Sequence, residues 1–576
     1  MTKKLILDIE TTAFPVTKIG MIGTLDCTSG IHKNFFGPFN TKELQEWFNQ
    51  YDELIGHNII DFDVPCMEKF LGLSFANFKI TDTLVLSRLY NPQLENGHKL
   101  KAWGERFNFN KGDYNDWSKL TPEMVEYCER DLQLTNKVLS YLEDKLSNFG
   151  DKSIILEHGV QTVVTKQIQN GWFLDQKKCF ELLGQLKERK IIIEDNVHKI
   201  FKPLPVFVKH IKLKYKKDKS LSTIGLKFLG DRMRFVSGDF SRVDFPEFNL
   251  GSRKQIGIYL KFFGWKPKDF TDKGHPIVDE EILSKVENIP EAKLIAEYLL
   301  LQKRIAQVES WLNVVTEGSR VHGYIDTIGA VTGRMTHSKP NMAQVPANHS
   351  PYGLECRSCW TVSKGKNLVG IDASGIELRM LAHYMNDKEY TNEIIHGDIH
   401  TTNQKAANLK TRDSAKTFIY AFLYGAGDRK IGDIIGGSPR VGAQLKKLFL
   451  HNTPSLRDLR ERVQNASVRG YLRGLDGRKL IIRSSHSALN TLLQSAAAVV
   501  MKKSLTILDE YSKLHNIDYK FVGNIHDEIQ AEVRESQAEK FGWLAVECIK
   551  ASGEYFNLRC PLDGEYKVGK TWADTH

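Results

Sequence analysis

Gly370-Ile371-Asp372-Ala373-Ser374-Gly375-Ile376-Glu377-Leu378-Arg379 is the stretch on which the reading of this chain turns. The apolar run Asn367-Leu368-Val369 leads into it, which predicts a strand buried on both faces and ending on an acid, Asp372. Small residues follow and leave room beside the carboxylate. Glu377 then opens a helical period through Leu378, Leu381 and Ala382. An aspartate at the end of a buried strand costs several kcal/mol unless it is paired or bound to a cation. The alternative is a helix N-cap, a position that Asp often fills. A second stretch argues for more than a cap. Phe521-Val522-Gly523-Asn524-Ile525-His526-Asp527-Glu528-Ile529-Gln530-Ala531-Glu532-Val533 reads as strand, tight turn and strand, with two acids at the turn. Two strands that each deliver a carboxylate can hold a pair of Mg²⁺ ions, the arrangement that drives in-line phosphoryl transfer.

Between these acids lies Arg412-Asp413-Ser414-Ala415-Lys416-Thr417-Phe418-Ile419-Tyr420-Ala421-Phe422-Leu423-Tyr424-Gly425. Arg412, Lys416, Tyr420 and Tyr424 recur every four residues and form one stripe of a helix, while Ala415, Phe418 and Phe422 fall on another face. Two cations followed by two aromatics suit a nucleoside triphosphate: charge for phosphates, rings for sugar and base. Without flanking carboxylates the same stripe would read as a solvated helix face. With them, the three stretches resemble, in order, the three polymerase motifs of DNA polymerase family A, in its replicative branch from short-tailed phages of the T-seven type. The resemblance runs over nearly the whole chain.

The N-terminal segment, residues 1–150, carries a second constellation. In Leu5-Ile6-Leu7-Asp8-Ile9-Glu10-Thr11-Thr12 the acids lie two apart and share one face of a strand. Like charges that close repel unless a cation sits between them. His57-Asn58-Ile59-Ile60-Asp61-Phe62-Asp63 supplies another acid near a helix start, and Tyr127 and Asp131 stand one helical turn apart. Four carboxylates and a tyrosine form a complete set for two-metal phosphodiester hydrolysis. These stretches resemble the three motifs of DEDDy 3′–5′ exonucleases, the proofreading domains. That resemblance implies metal binding by Asp8, Glu10, Asp63 and Asp131, with Tyr127 orienting the attacking water. Asp82 is expected to be a turn acid or cap.

At 576 residues the chain is expected to hold three or four domains. Hydrophobic content of 41% and charged content of 26% are ordinary for globular protein. A net charge of +10 with 80 basic residues permits clustered phosphate-binding surfaces but is weak evidence for them. Eight scattered cysteines suit a reducing cytoplasm, and the close pair Cys356 and Cys359 has no partner pair at zinc spacing. No signal peptide is expected at Met1-Thr2-Lys3-Lys4, and no apolar run of about 18 residues predicts a membrane span.

Residues 151–340 read as helical, and the resemblance makes them a thumb. Leu294 to Val315 predicts a long amphipathic helix. Phe248-Asn249-Leu250-Gly251-Ser252-Arg253 resembles the thumb-tip segment, where a helix N-terminus meets phosphates. Ahead of it, residues 202–219 hold Lys202, Lys209, Lys212, Lys214, Lys216, Lys217 and Lys219. A solvated face and a phosphate grip both fit that run. Phage relatives carry a long insertion in this region that recruits host thioredoxin as a processivity clamp. The shorter stretch before Phe248 counts against thioredoxin here.

Residues 341–576 are expected to form palm and fingers. The resemblance implies a multidomain α/β and α+β chain: a ribonuclease H-like exonuclease with a mixed sheet, then a right-hand polymerase with an antiparallel palm sheet and helical fingers and thumb. It implies two Mg²⁺ in the polymerase site, on Asp372, Asp527 and the Ala373 carbonyl, and two in the exonuclease site. It places Arg412, Lys416 and His400 on the triphosphate, Lys416 also as proton donor, and Glu377 and Tyr420 against the incoming sugar. Tyr424 would guard the templating base. Arg334, Gln494 and His526 would contact primer and template. The implied reaction is template-directed DNA synthesis with proofreading, on primer–template DNA and dNTPs, in the cytoplasm of an infected bacterium, beside a phage helicase-primase. A phage-type RNA polymerase lacks the proofreading motifs and the acid at the Glu377 position. A non-catalytic scaffold would have lost metal carboxylates, and none is missing.

Overall fold

The computed structural model describes residues 2–11, 16–109, 114, 121–212, 214–220, 222 and 239–576; Thr12 of the first exonuclease-like motif lies outside them. The chain divides into two compact units, one made of Met1–Asp175 with Val314–His576 and the other of Gln176–Asn313.

In the larger unit the first sheet is built from β1 (Lys4–Thr11), β2 (Ile19–Asp26), β3 (His32–Phe36), β4 (Glu53–Gly56) and β5 (Lys79–Asp82). Their order is β3-β2-β1-β4-β5. β1 pairs antiparallel with β2 and parallel with β4, so the sheet is mixed, as the ribonuclease H-like expectation requires. Helix α1 (Asp63–Leu71) follows β4, and the long α2 (Pro122–Leu146) packs on β1 and β2. Thr121 caps α2 by accepting from the Met124 amide, and Pro122 takes the first-turn position whose N–H would have no partner. Helix α3 (Asp151–Asn170) completes the N-terminal part.

The second sheet comprises β6 (Lys366–Ala373), β7 (Tyr519–Ile525), β8 (Glu528–Arg534) and β9 (Gly564–Gly569), antiparallel throughout in the order β7-β8-β6-β9. β6 is central, and Leu368, Val369, Gly370 and Ile371 are buried, which is why the strand reads as an unbroken apolar run. Around the sheet stand α4 (Ile376–Met385), α5 (Arg412–Leu423), α6 (Ala488–Leu514) and α7 (Ala538–Tyr555). The apolar face of α5 buries Ala415, Phe418, Ile419 and Phe422 in the main core, with Phe418 edge-on to Phe449 at 5.1 Å.

Helix α3 belongs with this core and not with a thumb starting at 151. It packs on α6 and β7, and its Glu157 is fully buried against Lys502 of α6 (2.7 Å) and Arg478 (2.5 Å). Arg478 is held in turn by Asp476 at 2.6 Å. Two cations and two anions thus neutralise one another out of water. Removing a single member of such a group costs about 3–5 kcal/mol, because its partner is left buried and uncompensated.

The smaller unit, Gln176–Asn313, is organised on two long packed helices, Gln176–Ile200 and Pro290–Leu312. The second replaces the Leu294–Val315 span expected from periodicity, because Pro290 starts it a turn earlier. Ion pairs Lys187–Glu309 (2.8 Å) and Arg189–Glu297 (2.7 Å) join the two helices. Ser252 caps helix Arg253–Phe262, as its sequence suggests. Strands Val206–Ile211 and Phe240–Asp244 pair antiparallel; Lys209 lies on the first, and Lys212, Lys214, Lys216, Lys217 and Lys219 follow it. All seven lysines from Lys202 to Lys219 are exposed, and so are Phe207 and Tyr215.

Candidate active sites

The first centre forms at the end of β6. Asp372 stands opposite Glu528 of β8 on one side and Glu565 of β9 on the other. The Ala373 amide donates to the Asp527 carbonyl (3.4 Å), so the backbone ladder sets the two aspartates beside one another. Asp527 is the second residue of the two-residue loop between β7 and β8. His526, the first, adopts φ +60°. Tight hairpins need such a conformation, and a residue with a side chain pays for it in strain. Asp372 keeps an exposed edge toward solvent, yet the surrounding protein, then Asp527 and Glu528, push its carboxyl up to about 7. Asp527 is pushed up as well, by burial and by Glu377, against the opposing pull of Arg334 and His526.

Glu528 has a different environment. It is buried, and its Oε1 accepts from Trp572 Nε1 and Gln530 Nε2, both at 2.6 Å. Its Oε2 meets His576 Nδ1 at 3.0 Å. Burial would raise this carboxyl, but the hydrogen bond and charge of His576 outweigh it and hold it down. The last residues of the chain therefore reach the centre, and Glu528 is engaged in fixing them.

Helix α5 presents the predicted stripe beside this centre. Arg412 forks onto Asp398 at 2.7 and 3.1 Å, an acid whose Oδ1 and Oδ2 also cap helix Ile399–Ala407. His400 lies on that helix, its ring 6.3 Å from Tyr420. Burial, then Arg412 and Lys416, lower the His400 imidazole, and its Nδ1 is buried without a hydrogen-bond partner among the described residues. Lys416 is exposed. Tyr420 and Tyr424 stack at 6.4 Å and 28°. The Tyr424 hydroxyl donates to Glu377 Oε1 at 2.6 Å, and Arg334 approaches the same oxygen at 3.3 Å. Glu377 thus ties the end of the stripe to the Arg334 turn. Its phenolic partner is Tyr424, while Tyr420 lies in its electrostatic field. Gly333 makes that turn at φ +76°; a Cβ there would come within 2.7 Å of Arg478. Gln494 is half-buried on α6.

The second centre lies in the first sheet. Asp8 and Glu10 rise from one face of β1, and the Ile9 amide between them donates to Asp63 Oδ1 at 3.1 Å. That bond fixes the start of α1 against the strand. Asp131 comes from α2. Glu10, Asp63 and Asp131 are 5%, 2% and 3% exposed, a dry setting for so much negative charge. Burial, then Asp8, push Asp63 well up. Tyr127 is half-buried one turn before Asp131. Neighbouring Asp61 is bound elsewhere, to Gln161 (2.7 Å) and Thr165 of α3, so the structure separates the two acids of Asp61-Phe62-Asp63. Asp82 accepts from the Asn58, Ile60 and Leu84 amides and is the structural cap expected of it. Cys356 and Cys359 are buried and form no disulfide.

Two residues that sequence reading left without a place in a centre join them. Asp398 holds Arg412, and Cys128 lies among the acids of the first sheet. The last was accessible in principle, since Cys128 precedes Asp131 by three residues and shares its helix face.

A sequence model of DNA polymerase family A matches residues 227–574. The chain is 36% identical to a DNA-directed DNA polymerase of Enterobacteria phage T3, over 91% of this chain and 92% of that one. It is likewise 36% identical to the corresponding enzyme of Escherichia phage T7, with the same coverage. Its fold is that of a solved Pol1 polymerase domain from M. smegmatis in complex with DNA primer-template and dNTP. The TM-score is 0.80 at 17% identity, covering 100% of this chain and 96% of that one. Among the described residues no helix is long and apolar enough to cross a membrane.

Proposed function

The chain belongs to DNA polymerase family A and is a DNA-directed DNA polymerase; from that premise we propose that it replicates phage DNA in the infected host cell and proofreads it with a 3′–5′ exonuclease at the Asp8 centre. The observation that carries the synthetic role is the pairing of Asp372 with Asp527 across the Ala373 backbone bond, next to the α5 stripe. Asp372, Asp527 and the Ala373 carbonyl are hard oxygen donors of the kind Mg²⁺ takes. A carboxyl pushed up by its acidic neighbours gains most from a divalent charge. Two bound Mg²⁺ would supply activation of the primer 3′-hydroxyl and neutralisation of the departing pyrophosphate.

The side chains do the rest. Lys416 and His400 bind the triphosphate of the dNTP, with the buried Nδ1 of His400 available to a phosphate oxygen. Arg412 joins them on exchanging Asp398 for phosphate, and Lys416 gives a proton to the leaving group. Tyr420 and Glu377 close against the sugar, and Tyr424 stands over the templating base. Arg334, Gln494 and His526 contact the primer–template minor groove, where acceptors common to all pairs let geometry be checked without reading sequence. In the second centre Asp8, Glu10, Asp63 and Asp131 would hold two further Mg²⁺, and Tyr127 orients the water that attacks the terminal phosphodiester. The upward push on Asp63, from burial first and then from Asp8, supports that reading.

The lysine-rich stretch of the smaller unit fits a built-in electrostatic grip on duplex DNA that partly replaces a recruited clamp. Seven exposed lysines against the single Asp218 between residues 202 and 219 give the stretch the sign that phosphates attract.

If the two centres are separate, Asp63→Ala abolishes removal of a mispaired 3′ end while primer extension stays within a few-fold of wild type. Loss of both on a folded protein would end the two-site reading. Glu377→Ala is expected to admit ribonucleotides tenfold to a hundredfold better, from the roughly 1–3 kcal/mol of a carboxylate stranded by a 2′-hydroxyl. The deoxy-to-ribo ratio of kcat/KM decides it, and an unchanged ratio removes Glu377 from sugar choice. Replacing Lys212, Lys214, Lys216 and Lys217 by Ala together is expected to flatten the salt slope of log K for duplex DNA by about two to four units. Run length under a DNA trap is then shorter with single-nucleotide kcat unmoved. Unchanged slope and run length would make these lysines a solvated surface.

A further inference from the structure

Cys128 is buried completely among the acids of the second centre. Among the described residues, Asp8, Glu10 and Cys128 are the one group of three or more His, Cys, Asp or Glu whose ligand atoms all lie within 4.8 Å of one another. The sulfur is seated by the sheet. Gly23 pairs with Asp8 on β2, and a Cβ at Gly23 would lie 2.5 Å from Cys128 Sγ. The strand therefore leaves a hollow that the thiol fills, with Sγ 4.0 Å from the Asp8 carbonyl. The sulfur is thus lodged beside the two β1 carboxylates. Helix register adds that Asp131, three residues on, shares its face.

We propose that Cys128 makes this centre a soft-metal site, in which Zn²⁺ or Cd²⁺ binds through the Cys128 sulfur with Asp8 and Glu10 and thereby switches excision off. The proposal rests on the exonuclease reading for its consequence but not for the binding itself. Mg²⁺ is hard, takes oxygen donors, and gains nothing from sulfur; Zn²⁺ and Cd²⁺ favour thiolate. On binding, the S–H bond breaks, a sulfur–metal bond forms, and the proton leaves to solvent, with no change of oxidation state. The ion so held occupies the Asp8 and Glu10 oxygens that Mg²⁺ needs. At the polymerase centre the expected ligands, Asp372, Asp527 and the Ala373 carbonyl, include no thiol. Soft metal would then suppress proofreading ahead of synthesis.

The test is a Cd²⁺ titration of the full chain, followed by the ultraviolet sulfur-to-cadmium charge-transfer band, in wild type, Cys128→Ser, Cys128→Ala and Asp8→Asn. Wild type is expected to show one more tight equivalent than either Cys128 variant. Asp8→Asn is expected to weaken that equivalent by at least about tenfold, a loss that an isolated thiol would not show. In Mg²⁺, half-inhibition of excision by Zn²⁺ is expected at a concentration at least about tenfold lower for wild type than for Cys128→Ala, each measured against its own zinc-free rate. Equal Cd²⁺ stoichiometry in wild type and both Cys128 variants overturns the proposal, as does a Cys128-dependent band that Asp8→Asn leaves unmoved. A Cys128- and Asp8-dependent band in a protein that excises nothing in Mg²⁺ overturns the proofreading reading and leaves the metal site standing.

Discussion

Repulsion between carboxylates that the backbone forces together is the constraint on which the rest of this structure depends. At the end of β6 the ladder sets Asp372 beside Asp527, and at β1 it sets Asp8 and Glu10 on one face with Asp63 bonded to the amide between them. Each centre carries charge that its own protein environment disfavours, visible as the upward push that burial first, and then neighbouring acids, exert on Asp372, Asp527 and Asp63. A divalent cation reverses that preference by binding the deprotonated form. The same strain recurs in the backbone at His526, whose positive φ aims Asp527 from a two-residue loop.

Rigid surroundings keep the acids in place. Glu528, next to Asp527, is clasped by Trp572, Gln530 and His576, so the end of the chain is fastened beneath the polymerase centre. The buried group of Glu157, Arg478, Asp476 and Lys502 ties α3 to α6 and to the turn under Gly333. Arg334, at that turn, meets Glu377, and Glu377 meets Tyr424 of the fingers stripe. A chain of charge-assisted contacts thus leads from helix α3 to the Tyr420–Tyr424 end of α5. Such contacts hold geometry more than they add stability, since the desolvation of buried charges offsets much of their attraction.

Much of this was legible in the sequence because it is periodic or local. Asp-x-Glu at Asp8 and Glu10 needs only strand alternation, and the Arg412-to-Tyr424 stripe needs only helix register. The strand–turn–strand around Asp527 and the apolar run into Asp372 are equally local. What escaped depends on contacts distant in sequence. Arg412 is held by Asp398, which stands at the start of the intervening helix Ile399–Ala407. Helix α3 reads like any amphipathic helix, and only the burial of Glu157 against Lys502 assigns it to the larger unit instead of the thumb. Helix register puts Cys128 on the face of Asp131, but the hollow at Gly23 that seats its sulfur exists only once two strands and a helix meet.

The central claim is that two separate carboxylate clusters each bind divalent metal. Counting Mn²⁺ bound to the full chain at equilibrium, by electron paramagnetic resonance of the free ion, tests it without reference to activity. Asp372→Asn with Asp527→Asn should remove one class of sites and Asp8→Asn with Asp63→Asn another. The four substitutions together should remove both. Equal Mn²⁺ binding by wild type and the fourfold variant, on folded protein, would contradict the account.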